Sequence, residues 1–137
     1  MTSTAAASMI ETHPNGTADL NVQELAACIE ACFECAQACT ACADACLAED
    51  MVADLRDCIR SDLDCADLCA ATGSILSRRT GQNLTTVRAA LEVCRTACAE
   101  CAAECEKHAE MHEHCRICAE ACRRCEQACT DLLSVMG

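Results

Sequence analysis

The sequence predicts an all-α fold, an antiparallel four-helix bundle with a cysteine-lined core. Three observations carry that prediction. Fifteen of the eighteen cysteines recur at alternating steps of three and four residues, and Cys58, Cys65 and Cys69 keep the same phase, the ~3.5-residue period of a packed helix seam. Gly is 4 and Pro is 1 in 137 residues, too few punctuators for an all-β chain with many turns. Phe33 is the single aromatic residue beside no Trp and no Tyr, so large side chains do not build the interior.

The elements follow in order. Residues 1–20 are rich in Ala, Ser and Thr and carry Pro14-Asn15-Gly16. They read as a flexible or partly helical arm, ahead of a bundle domain over 21–137. Helix A starts at Asn21, an N-cap with Glu24 placed three residues on in capping-box style, and runs to about Leu47. Its seam is Leu25, Cys28, Cys32, Cys35, Cys39, Cys42 and Cys46. Helix B runs from near Asp50 to before Gly81, read as a C-cap glycine after Thr80. Its seam is Met51, Leu55, Cys58, Asp62, Cys65, Cys69, Thr72 and Leu76.

Helix C starts between Asn83 and Thr85 and runs to about Glu110, with Val87, Leu91, Cys94, Cys98, Cys101, Cys105 and His108 in phase. Helix D covers Met111 to Val135, with Met111, Cys115, Cys118, Cys122, Cys125, Cys129, Leu132 and, just beyond, Met136 in phase. The connections are short, so successive helices run antiparallel and cross near about +20°.

Topology then distinguishes the two ends. One collects Leu25, Leu76, Val87, Leu91, Leu132 and Met136, an aliphatic plug. The other gathers Cys46, Met51, His108, Met111 and His112, with His114 nearby, as a mouth of metal-binding groups. Between them the thiol column from Cys28 to Cys46 spans about 27 Å at the helical rise.

The formal net charge of −12 disfavours nucleic acid and anionic membrane surfaces as partners. Arg78-Arg79 and Arg123-Arg124 are the basic pairs; the first is placed in the last turn of helix B, where cations suit the helix dipole. The N-terminus lacks the basic and apolar regions of a secretory signal. No apolar run is expected to reach the ~18 residues that span a bilayer. A cytoplasmic chain with reduced thiols and no membrane partner is expected.

Thiolates and thioethers are soft ligands that select Cu(I), Zn or iron–sulfur clusters. Two-coordinate Cu(I) needs two sulfurs about 4.6 Å apart, taking the metal–sulfur bond as ~2.3 Å. CxxC and CxxxC pairs on one helix face, and facing helices, supply such spans. Charge points the same way. About eighteen Cu⁺ would neutralise the eighteen thiolates, releasing roughly one proton per metal. Divalent or iron–sulfur sites take four cysteines each, a poor match to an unbroken column.

Cysteine can act as a small hydrophobe, but eighteen in phase argue against an inert core. Two alternatives stay open: a Zn(II) or broad soft-metal buffer, and a thiol redox reservoir or interaction bundle. His108 and Met111 are the expected entry ligands because they keep the seam phase. The roles of Met51, Asp62, His112 and His114 stay open. No paired acid–base constellation or activated nucleophile is evident, so storage rather than enzymatic turnover is expected.

Three repeats carry a resemblance: CxxxCxxCxxxCxxCxxxC from Cys28 to Cys46, CxxxCxxCxxxC from Cys94 to Cys105, and CxxCxxxCxxCxxxC from Cys115 to Cys129. Over residues 21–135 the chain resembles the bacterial copper storage proteins, in particular the cytosolic branch without an export signal. The resemblance implies a bundle that stores many Cu(I) ions, with all eighteen cysteines as ligands and an open end lined by His and Met. It also implies a homotetramer. A copper chaperone or low-molecular-weight thiol is the expected donor. A second apolar stripe on helix A (Val22, Ala26, Ile29, Phe33, Ala36) could pack between subunits or against a neighbouring helix.

Overall fold

Four long helices and one short one form the chain in a computed structural model that describes residues 4–81 and 83–136. Helix α1 (Ala5–Glu11) leads into α2 (Val22–Leu47), and a 3₁₀ turn (Val52–Leu55) opens α3 (Arg56–Leu76). The last two are α4 (Leu84–Glu106) and α5 (Glu113–Val135). Each long helix packs on the next, and α5 closes the ring against α2. Among the described residues the diagonal pairs make no close Cα approach, so only side chains fill the axis.

The cysteine phase accounts for this arrangement. All eighteen cysteines are buried, and Ala43, Ala66, Ala102, Ala119 and Ala121 are buried beside them. These small residues beside the thiols let the helices approach without large side chains. Leu25, Leu76, Leu91 and Leu132 are buried at one end, and Val87 and Met136 pack partly buried against them. The expected aliphatic plug is there.

Several boundaries differ from the sequence expectation. Asn21 flanks α2 without a side-chain cap; its Nδ2 instead donates to the Val135 carbonyl at 3.3 Å and ties α2 to the end of α5. Helix α3 stops at Leu76 rather than near Thr80, because Ser77 turns back and donates its hydroxyl to the Gly73 carbonyl at 2.7 Å. Gly81 is not its cap. It takes a φ of +77° in the following loop, a conformation glycine adopts without strain. Helix α4 ends at Glu106, after which His108 and Met111 make i to i+3 turn bonds.

Arg79 does not serve the α3 dipole either. Its guanidinium donates to the Ile10 carbonyl at 2.9 Å and to the Gly16 carbonyl, and Asn15 donates back to the Arg79 carbonyl at 3.0 Å. These bonds lash α1 across α2, where Ile10 is buried. The second stripe of α2 is therefore covered mostly within the chain. Ala26 and Ile29 are buried, while Phe33 stays 44% exposed with its ring over Gly73 of α3. The other basic pair also joins helices: Arg123 grips Glu106 of α4, and Arg124 grips Glu34 of α2.

One further expectation is corrected. Helix α2 is long and apolar enough to cross a membrane by length and composition, because alanine and cysteine both count as apolar. In the fold its cysteine face is the lumen wall.

Arg79→Ala should release the arm while sparing the bundle. Limited proteolysis is expected to cut between residues 4 and 20 several-fold faster, with amide exchange in the four long helices unchanged. An arm as protected as in the parent chain would contradict this.

Candidate metal centre

The seam phase of each long helix aims its cysteines at a common axis, and the thiols meet there across helices more than along them. Within one helix the sulfurs of Cys35 and Cys39 lie 3.8 Å apart, and those of Cys65 and Cys69 3.7 Å. Between helices the contacts run the length of the lumen. Near the plug, Cys28 meets Cys129 at 3.9 Å and Cys32 meets Cys125 at 3.8 Å. In the middle, Cys69 meets Cys94 at 3.7 Å and Cys98 at 3.6 Å, and Cys39 meets Cys122 at 3.6 Å. Toward the other end, Cys58 meets Cys105 at 3.6 Å and Cys42 meets Cys115 at 3.9 Å.

These separations far exceed a disulfide bond of ~2.05 Å, and every cysteine is free. They suit metal instead. Three sulfurs around one ion at ~2.3 Å lie about 4.0 Å apart, and a linear pair about 4.6 Å. Small rotamer shifts convert one into the other.

The four-ligand sets share members. Cys35 and Cys65 belong both to a set with Cys69 and Cys98 and to a set with Cys39 and Cys122. Cys39 and Cys122 recur with Cys101 and Cys118. Cys32, Cys94, Cys125 and Cys129 form a further set near the plug. Overlapping sets cannot all be filled as closed tetrahedra, but sulfurs that bridge two ions fill them continuously.

Protonation keeps this tube tolerable without metal. A thiolate buried in apolar surroundings is costly, and chains of S–H···S contacts let neighbouring sulfurs along the lumen share protons. Cys46 is pushed up to about 11, first by burial and then by the neighbouring Cys58 charge. Burial likewise raises Cys115. Deeper in, hydrogen bonding with Cys101 raises Cys39 but lowers Cys65. One sulfur of a contact group can ionise only while its neighbours keep their protons.

Asp62 interrupts the column on α3, and the structure settles its surroundings. It is fully buried. Its Oδ1 accepts from the thiols of Cys101 at 3.1 Å, Cys118 at 3.2 Å and Cys105 at 3.4 Å. Its Oδ2 has no partner among the described residues. Burial, and next the Cys118 charge, push this carboxyl up to about 8.

At the unplugged end the imidazole against the thiols is His114. Its Nδ1 lies 3.4 Å from Cys42 Sγ and 3.6 Å from Cys115 Sγ. Together with Cys46 these residues form a mixed nitrogen–sulfur set. Glu49, just past the end of α2, faces the other side of the ring at 2.8 Å. His108 turns to Glu104 at 3.3 Å, and Met111 is 61% exposed. The expected entry residues therefore sit on the rim, and the residue touching sulfur is one whose role the seam phase left open. His114 lies out of phase with the cysteine seam, in the first turn of α5, which starts at Glu113, and its ring still reaches Cys42 and Cys115. Nothing in the sequence marks Glu49, since one more carboxylate in an acidic chain carries no signal.

The copper storage protein family matches residues 21–134. The copper storage protein of Streptomyces lividans loaded with 10 copper equivalents superposes with a TM-score of 0.93 at 55% identity, over 95% of this chain and 98% of that one. A structure of copper loading to a cytosolic copper storage protein from Streptomyces lividans, with five coppers, gives 0.81 at 62% identity. It covers 82% of this chain and 93% of that one. A Cu(I)-bound copper storage protein, BsCsp3, gives 0.68 at 36% identity over 81% of this chain and 99% of that one. Among curated proteins none matches.

Asp62 yields a pH prediction. Its carboxyl ionises near 3.9 in an unfolded chain and at about 8 when folded. Its contribution favours the folded state below the first value and is lost as pH rises through the second. Asp62→Asn should stabilise the metal-free, reduced protein by an amount that grows between about pH 4 and pH 8. Denaturant midpoints across that range measure it. A pH-independent gain would contradict the assignment.

Proposed function

We propose that this chain, which belongs to the copper storage protein family, holds about one Cu(I) per cysteine in its lumen and gives the ions up again. Residues 21–137 carry the store, and the arm packs on its outer surface. The cargo is bound by proton exchange: each Cu⁺ replaces a thiol proton, so a filled lumen stays close to neutral. The observation that carries the reading is the overlap between four-sulfur sets. Bridging sulfurs suit a monovalent soft ion, whereas separate Zn(II) sites each consume four ligands.

All eighteen cysteines are the proposed ligands, with the His114 ring joining Cys42, Cys46 and Cys115 in the set at the mouth. His108 and Met111 serve as rim groups that pass copper inward. The chain is a store without catalytic turnover. Its setting is the cytosol, as for the Streptomyces lividans relative described as cytosolic. A copper chaperone or small thiol delivers Cu(I) at the mouth, since the opposite end is sealed by leucines. Family likeness supports a homotetramer, and sedimentation checks it; a monomer at all concentrations would overturn that assignment.

Anaerobic competition against a Cu(I) chelator tests the function. Saturation near eighteen equivalents per chain is expected; saturation at about four, one ion per closed four-cysteine site, would contradict it. Replacing His108 and Met111 together with Ala should slow the first uptake phase while barely lowering capacity. Stopped-flow loading at unchanged rates would reject their entry role.

A further inference from the structure

At the mouth, one carboxylate oxygen serves two imidazoles. Glu49 Oε2 lies 2.8 Å from His114 Nε2 and 3.1 Å from His112 Nδ1. The two rings stack with centroids 5.4 Å apart and an interplanar angle of 19°. His112 is buried, and among the described residues its Nε2 has no partner.

The tautomers follow. An ionised carboxylate only accepts, so each ring nitrogen facing Glu49 carries a hydrogen. A neutral imidazole has one such hydrogen. For His114 that leaves Nδ1 with its lone pair bare, on the side where Cys42 and Cys115 stand at 3.4 and 3.6 Å. A metal-bound histidine is commonly held in this way, by a carboxylate on its far nitrogen that sets the tautomer and raises basicity.

We propose that Glu49 is the positioning residue of the mouth. It fixes His114 as the Nε2–H tautomer and aims Nδ1 at Cys42, Cys46 and Cys115, so the first copper ions meet a preformed nitrogen–sulfur set. His112 braces the arrangement by stacking on His114 and standing within ion-pair distance of the same oxygen. Glu49 acts through His114, whose Nε2 it faces. The inference rests on the Cu(I) reading above, but its tautomer half concerns the metal-free chain.

Two readouts on the full chain test it. Nitrogen-15 spectra of the reduced, metal-free protein should show His114 with a protonated Nε2, and Glu49→Ala should turn this into a mixture of tautomers. The affinity for the earliest Cu(I) equivalents, by chelator competition, should fall roughly 10–100-fold in Glu49→Ala. Glu49→Gln keeps an accepting carbonyl, so it should retain the tautomer and lose less affinity. Glu113→Gln removes an exposed mouth charge paired with Arg116 and should change neither.

Glu49→Ala with the parent tautomer, or with undiminished early affinity, would overturn the proposal. Equal losses in Glu49→Ala and Glu49→Gln would also overturn it, by assigning the effect to charge alone. Failure of the parent chain to take up Cu(I) would instead overturn the storage reading, leaving the tautomer result to stand by itself.

Discussion

The structure depends on one constraint: eighteen ionisable sulfurs sit in a low-dielectric tube, and the tube must stay close to electrically neutral. Without metal, neutrality is kept by protons shared along S–H···S contacts such as Cys69–Cys98 and Cys39–Cys122. With Cu(I), it is kept by the cargo. A core of leucines would be more cohesive, since burying a branched side chain contributes about 1.5–3 kcal/mol. This bundle confines such residues largely to one end. The plug of Leu25, Leu76, Leu91 and Leu132 anchors the four helices, and exchangeable protons occupy the rest.

Asymmetry follows from that division. The plugged end is reinforced by the arm that Arg79 lashes down and by the bond from Asn21 to the end of α5. Among the described residues the other end buries a single leucine, Leu55 of the 3₁₀ turn. It is finished by imidazoles, the carboxylates that pair with them and two methionines on the rim. A tube closed by leucines at one end and polar at the other has two chemically distinct ends. Asp62 stands within the column as a fixed acceptor for three thiols, a carboxylate among sulfurs.

Much of this was legible in the sequence. The seam phase of helices A to D placed the cysteines on one axis, because a 3–4 alternation has only one face to occupy. Helix antiparallelism then sorted leucines from histidines. What was not legible lies where backbone and side chains compete. Asn21 looked like a cap but found a partner on α5. Arg79 looked like a dipole cation but was claimed by carbonyls of the arm. Those partners are distant in sequence, so no local pattern announces them. His114 was hidden for a related reason: helix D begins two residues later than the phase of Met111 suggests, so the first turn of α5 presents a different residue to the thiols. Asp62 kept its seam phase, yet only the facing α4 and α5 reveal that it accepts from sulfur.

The central claim is the exchange of one thiol proton for one Cu⁺ along the whole lumen, and counting protons tests it most directly. In an anaerobic pH-stat at neutral pH, Cu(I) delivered from a weak, non-buffering complex should release close to one proton per ion, continuing to about eighteen ions per chain. Release far below one per ion from the outset would mean that the sulfurs were already ionised. Release that stops near four ions would mean closed sites rather than a continuous column. Either result would contradict the account.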